Sequence, residues 1–112
     1  MILKNITKNT ILARDLKETK SISDQLLGLL KKSNPKSLLF KTRFGIHTFG
    51  LKKSIDVVIL DQGLKVVKLK RSLKPNSFFF WNPKYKLVIE LPAGTINKTK
   101  TTQGCYFTLN LV

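Results

Sequence analysis

The chain is poor in the residue types that most catalytic and metal centres require. One cysteine, Cys105, and one histidine, His47, occur in 112 residues. A zinc site of paired Cys or His ligands therefore cannot be assembled within one chain. An internal disulfide is excluded too, so cysteine usage carries no sign of an oxidising compartment. Acids are scarce: six Asp and Glu stand against 21 Lys and Arg, a formal net charge of +15. No apolar run approaches the length of a membrane span, and the opening Met1-Ile2-Leu3-Lys4-Asn5-Ile6 is broken by lysine, unlike the apolar core of a signal peptide. A cytoplasmic location is the expectation. Neither a glycine-rich phosphate loop nor a nucleophile elbow occurs, and no cofactor or metal is implied.

What is present is an ordinary globular composition, 42% hydrophobic, in a length suited to one domain over residues 1–112. Ser21-Ile22-Ser23-Asp24 has the form of a capping box, and Ile22, Leu26, Leu29 and Leu30 then share one helical face. This spacing predicts a helix over 21–32, ended by Ser33-Asn34-Pro35. The remainder reads as β. Short strands are expected at 2–6, 10–13, 38–40 and 46–49. Ile55 to Leu60 is apolar on both faces except at Asp56, the pattern of a central strand. Asp61-Gln62-Gly63 is a turn signal leading to a hairpin strand over 64–69. Alternation of period two marks 85–91 and 105–111 as further strands, while the polar stretch 97–103 reads as a mobile connection. The fold expected is mainly β: a small antiparallel barrel-like or strongly curved sheet of about seven strands with one short helix.

The positive charge comes from 18 lysines and only three arginines. Arginine is the residue whose planar fork reads phosphate and guanine bidentately, so lysine-dominated charge points to composition more than to a dedicated nucleic-acid site. The acids are more informative. After Gln25 there are three, Asp56, Asp61 and Glu90, in a region otherwise free of carboxylates.

All three acids fall in two segments: Ile46-His47-Thr48-Phe49-Gly50-Leu51 running on to Ser54-Ile55-Asp56-Val57-Val58-Ile59-Leu60-Asp61, and Glu90-Leu91-Pro92-Ala93-Gly94-Thr95. These segments resemble the signature of the domain-of-unknown-function 192 family. In much of that family the pattern reads Ile-His-Thr-Phe-Gly-Met, two variable residues, Pro-Ile-Asp-Val-Val-Phe-Leu-Asp, and later Leu-Glu-Leu-Pro-Ala-Gly-Thr. The resemblance covers about 19–104 and includes Leu27-Gly28-Leu29-Leu30 and Leu64-Lys65-Val66-Val67. It implies a small β-rich fold and carries no established activity. Four departures stand out: Leu51 for methionine, Ser54 for proline, Leu64 for glycine, and Gln103-Gly104-Cys105 where the family has a Gly-Asp pair.

Three functional classes remain. The first is a non-catalytic binding module with its site around His47, Thr48, Asp56, Glu90 and Gly94, for an unspecified small ligand, glycan or protein. The second is single-stranded nucleic-acid or polyanion binding through a basic and aromatic surface over 65–86. There Lys68, Lys70, Arg71 and Trp81 would combine electrostatics with stacking. Phe78-Phe79-Phe80-Trp81 cannot all point inward from one strand, so two rings are expected to face outward or to cover a neighbouring element. The third is a hydrolase in which Asp56 orients His47 as a general base. Against it, the resemblance implies that an aromatic residue can stand at His47, and an aromatic replaces imidazole in stacking but not in proton transfer. Cys105 shares a strand face with Phe107, Leu109 and Leu111, the setting of an inert buried thiol. The sequence leaves oligomeric state open.

Overall fold

The computed structural model describes residues 1–19 and 37–111; the helix expected over 21–32 lies outside them. The described strands are β1 (Ile2–Asn5), β2 (Thr10–Ala13), β3 (Lys17–Glu18), β4 (Leu38–Lys41), β5 (Gly45–His47), β6 (Ile55–Leu60), β7 (Val66–Leu73), β8 (Phe78–Phe80), β9 (Leu87–Pro92) and β10 (Phe107–Asn110), with a single-turn helix, α1 (Thr95–Lys98), between the last two. They form three sheets, in the orders β10-β1-β2, β3-β4-β9-β6-β7 and β5-β8. The protein is mainly β, as expected, and among the described residues the strands do not close into one barrel.

The departure from a barrel follows from β6. All six of its side chains are buried, and a strand apolar on both faces needs a covering layer on each side. Val58 and Leu60 pack with Leu3, Leu12, Leu16, Ile96 and Phe107, beneath the three-stranded sheet and α1. Ile55, Val57 and Ile59 pack with Phe40, Ile46, Phe79 and Trp81, beneath the β5–β8 pair. The five-stranded sheet is thus the middle of three layers, with a hydrophobic cluster on either side. Each fully buried aliphatic side chain contributes about 1.5–3 kcal/mol relative to exposure.

The turn after β6 is built by Asp61. Its Oδ1 accepts the N–H groups of Gly63 and Lys65, both at 2.9 Å, an Asx turn that sets the hairpin to β7. The left-handed residue in this turn is Leu64, at φ 64°, the position where the resembled family carries glycine.

Residues 97–103, read from sequence as a mobile connection, are instead tied inward. Thr99 and Thr101 are buried, their hydroxyls lie 2.8 Å apart, and Asn5 Nδ2 donates to Thr101 Oγ1 at 3.1 Å. Thr10 Oγ1 donates to the Thr99 carbonyl. These polar side chains face the protein because each finds a partner there.

Candidate functional site

Strand register decides which of the sequence-predicted residues meet. Val57 pairs with Glu90 and Asp56 pairs with Leu91 across β6 and β9. Residues directly opposite share a face and neighbours in sequence do not, so Asp56 and Glu90 project from opposite faces of the middle sheet. The five candidates therefore divide. His47, Thr48 and Glu90 lie toward the β5–β8 layer, whereas Asp56 and Gly94 lie toward the three-stranded sheet.

Asp56 is wholly buried. Its Oδ1 accepts Ser72 N–H and its Oδ2 accepts Ile96 N–H, each at 2.9 Å. Ser72 has φ 49° and sits where the β6–β7 register shifts between Ile55 and Val57. One carboxyl group thus holds a bulge on β7 and the start of α1. Gly94, at φ 94°, provides the left-handed turn that brings Ile96 N–H to that carboxyl.

Thr48 is also buried and engaged: its Oγ1 donates to Lys74 O at 2.6 Å and accepts Ser77 N–H at 2.9 Å, joining the end of β5 to the turn before β8. Glu90 is buried on β9 opposite Leu38 and Val57. His47 alone of this group is exposed on a side chain. Its Nδ1 accepts Phe49 N–H at 3.3 Å. His47 and Asp56 therefore hydrogen-bond to separate backbone groups from different sheets, and the structure does not assemble them as a base and its orienting acid.

The nucleic-acid candidates separate too. Lys68 and Lys70 are exposed on β7, paired with Ile59 and Val57 and so on the β5–β8 side. Lys68 Nζ donates to Phe80 O at 2.8 Å and lies 5.1 Å from the Phe79 ring centroid. Arg71 turns away, its Nε donating to Asn97 Oδ1 at 2.8 Å. Trp81 is buried, with its indole N–H on Tyr85 O at 2.8 Å, so it offers little face for stacking.

Cys105 is buried against Phe107 and Leu3 in the cluster beneath the three-stranded sheet. Burial pushes its thiol up, but hydrogen bonding with Thr102, with lesser help from Asn5 and the charge of Lys8, holds it below the ordinary value. Thr102 Oγ1 is 3.5 Å from Sγ. Among the described residues no group of three or more His, Cys, Asp or Glu could hold a metal ion, and no helix is long and apolar enough to cross a membrane.

What the structure does bring together is a strip of exposed rings. The β8 run alternates as expected, Phe79 and Trp81 inward, Phe78 and Phe80 outward at 57% and 62% exposure. Phe78 pairs with His47 across β5 and β8. Ring centroids then follow one another from His47 to Phe49 at 5.0 Å, Phe49 to Phe78 at 5.0 Å, and Phe78 to Phe80 at 5.7 Å. Phe44, exposed as well, precedes Gly45 at the end of the strip. The signal in the sequence was the four-residue aromatic run together with Phe49 of the His-Thr-Phe-Gly segment. Their juxtaposition depended on β5–β8 pairing, which local pattern does not reveal.

No family model matches the sequence, and no curated protein matches it either. Two solved structures share the fold. One is a protein of unknown function from Novosphingobium aromaticivorans DSM 12444, with TM-score 0.78 and 11% identity over 96% of this chain and 83% of that one. The other, from Sinorhizobium meliloti 1021, is described as a candidate transcription regulator. Its TM-score is 0.76 at 14% identity, covering 96% of this chain and 89% of that one. At these identities the likeness is one of fold.

Proposed function

We propose that the protein is a non-catalytic binding module whose recognition face is the aromatic strip of His47, Phe49, Phe78 and Phe80. The observation that carries this is the unbroken succession of exposed rings on a two-stranded sheet backed by the Phe79–Trp81 cluster. Apolar rings in contact with solvent lose favourable burial, and a contiguous group of them marks a contact surface. The buried partners found for Thr48 give it the task of holding the face, while Asp56 is engaged on the other side of the middle sheet, fastening β7 and α1; neither is placed to touch a ligand. The strip suits ligands with flat apolar faces in series, of which the sugar rings of a glycan are one class.

A second reading has its own observation. Lys68 lies against Phe80 O and the Phe79 ring, with Lys70 on the same side of β7, the pairing of cation and ring that single-stranded nucleic acid uses. The two readings separate in one titration. Trp81 is the sole tryptophan and its ring lies 5.8 Å from Phe79, directly behind the strip, so its emission reports on ligands there. With soluble oligosaccharides and single-stranded oligonucleotides at about 0.15 M salt, saturable change is expected for oligosaccharides and not for oligonucleotides. Phe78→Ala with Phe80→Ala should weaken that binding by about tenfold or more, since each stacked ring is worth roughly 1–3 kcal/mol. Oligonucleotide binding that survives this salt and is lost in Lys68→Ala with Lys70→Ala would replace the first reading with the second. Turnover in a hydrolase panel, abolished by His47→Ala, would remove both.

A further inference from the structure

A second concavity lies at one end of the middle sheet, where Lys41 of β4, Leu87 of β9 and Leu60 of β6 stand in one row across the three strands. It is an open cleft of about 620 Å³, with Lys41, Arg43, Lys84 and Lys86 on its walls and Asp61, Gln62 and Gly63 along one side. Leu60, Tyr85 and Leu87 also line it and supply its apolar surface. Its size is that of a small-molecule site, since ligand pockets commonly run about 300–1,000 Å³.

The electrostatics are one-sided. Four cations face one acid, Asp61, so positive charge is in excess even after that acid is counted; its Oδ1 accepts two backbone N–H groups in its turn. Cations lining a cleft with apolar walls concentrate their field within it. Arg43 is also held in place, its Nη1 donating to Pro83 O at 2.8 Å, which leaves the remaining guanidinium donors for an anion. Lys84 is steered by the Tyr85 ring, its Nζ 5.9 Å from the centroid. The segment carrying Lys84 to Lys86 is itself fastened, with Thr42 N–H on Lys86 O and Tyr85 N–H on Asn82 O. The walls are therefore anchored while most of the positive charge they bear has no counter-charge in the lining.

The geometry points to a binding site for a phosphate-bearing small molecule with two or more negative charges. Its phosphate groups lie among Arg43, Lys41, Lys84 and Lys86, and its organic body lies on Tyr85 and Leu87. The site is independent of the aromatic strip, which contributes none of its lining.

Calorimetry with inorganic pyrophosphate and with adenosine 5′-diphosphate tests this on the full chain. Both probes should bind saturably at about 0.15 M salt with dissociation constants of about 1 mM or tighter. The diphosphate nucleoside should bind more tightly through its added body. Arg43→Gln with Lys84→Gln, both on exposed positions, should weaken binding by about tenfold or more. Lys52→Gln with Lys53→Gln removes the same charge from exposed positions outside the cleft and should leave affinity unchanged. Phe78→Ala with Phe80→Ala should also leave it unchanged, which keeps this outcome separate from the fate of the strip. Equal weakening by the two charge-removing pairs would show that net charge alone attracts the probes and would overturn the site. Absence of saturable binding by either probe would overturn it as well.

Discussion

Asp56→Asn is expected to destabilise the protein by about 2–3 kcal/mol, because a buried backbone donor left without an acceptor costs about 1–3 kcal/mol and a charge-assisted bond is lost besides. The carboxyl group accepts Ser72 N–H with one oxygen and Ile96 N–H with the other. The amide of asparagine can accept only one of them, and its NH₂ group must then confront the second N–H, donor against donor. The Ile96 N–H is the costlier one to leave unpaired, since that bond is buried whereas the one from the exposed Ser72 is only partly so. For a domain of this size the loss corresponds to a fall in Tm of roughly 8 °C or more. Urea or thermal unfolding measures it directly. Amide exchange adds a local readout, since protection at Ser72 and Ile96 should fall before that of β6. An unchanged melting temperature, with both amides still protected, would show that this carboxyl group is not what fastens the bulge and α1.

Gly45→Ala should be the most damaging single methyl addition in the β5–β8 layer. A Cβ at Gly45 would stand 2.5 Å from Phe80 Cδ1 and 2.7 Å from the carbonyl oxygen of Phe79. The exposed Phe80 ring can swing aside, but the carbonyl belongs to the paired strand, where Gly45 is opposite Phe80. The two strands must spread, at a cost of about 2 kcal/mol, a typical figure for overpacking. That exceeds the 0.5–1 kcal/mol usually gained on replacing glycine within a strand. Because Phe80 is displaced in the process, oligosaccharide binding at the strip should fall together with stability. Gly63→Ala is the matched control: its Cβ would meet only Asp61 Oδ1 at 3.5 Å, so a change within about 0.5 kcal/mol is expected. If Gly45→Ala melted like Gly63→Ala, the close approach of β8 to Gly45 would be refuted.

The strands were legible in the sequence because burial imposes its period on them. Ile55 to Leu60 reads as apolar on both faces and is buried on both; Phe78 to Trp81 alternates outward and inward as a strand must. The candidate site was less legible, for a reason of parity. Asp56 and Glu90 occupy neighbouring rungs of the β6–β9 ladder, yet Asp56 is opposite Leu91, so the two acids point apart. A shift of one residue in register would have brought them to one face, and register between strands thirty residues apart is not written in either strand alone. The division of the strands into three sheets was not legible for a related reason. A strand apolar on both sides announces a central position but not whether its cover comes from closure of its own sheet or from two others. At 97–103 polar composition misled, because Thr99 and Thr101 satisfy their hydroxyls with each other and with Asn5. Leu64 shows the converse: Asp61-Gln62-Gly63 announced the turn, but a leucine gave no sign that it would take the left-handed position itself.

The pairing of β1 with β10, Asn5 opposite Phe107 and Ile2 opposite Asn110, has a consequence in time. These partners are almost as far apart along the chain as its length allows, and the Asn5–Thr101 hydrogen bond spans 96 positions. Closing so long a loop loses chain entropy before any contact rewards it, and β-rich folds with such distant pairings reach the native state in about milliseconds to seconds. The hairpin of β6 and β7, joined by the short Asp61 turn, can form much sooner. Until β1 and β10 meet, Val58, Leu60 and Ile96 lack their cover. The interval in which this protein is most exposed to misassociation is therefore set by its most distant strand pair, and crowding at high expression should act on that interval before it acts on the folded molecule.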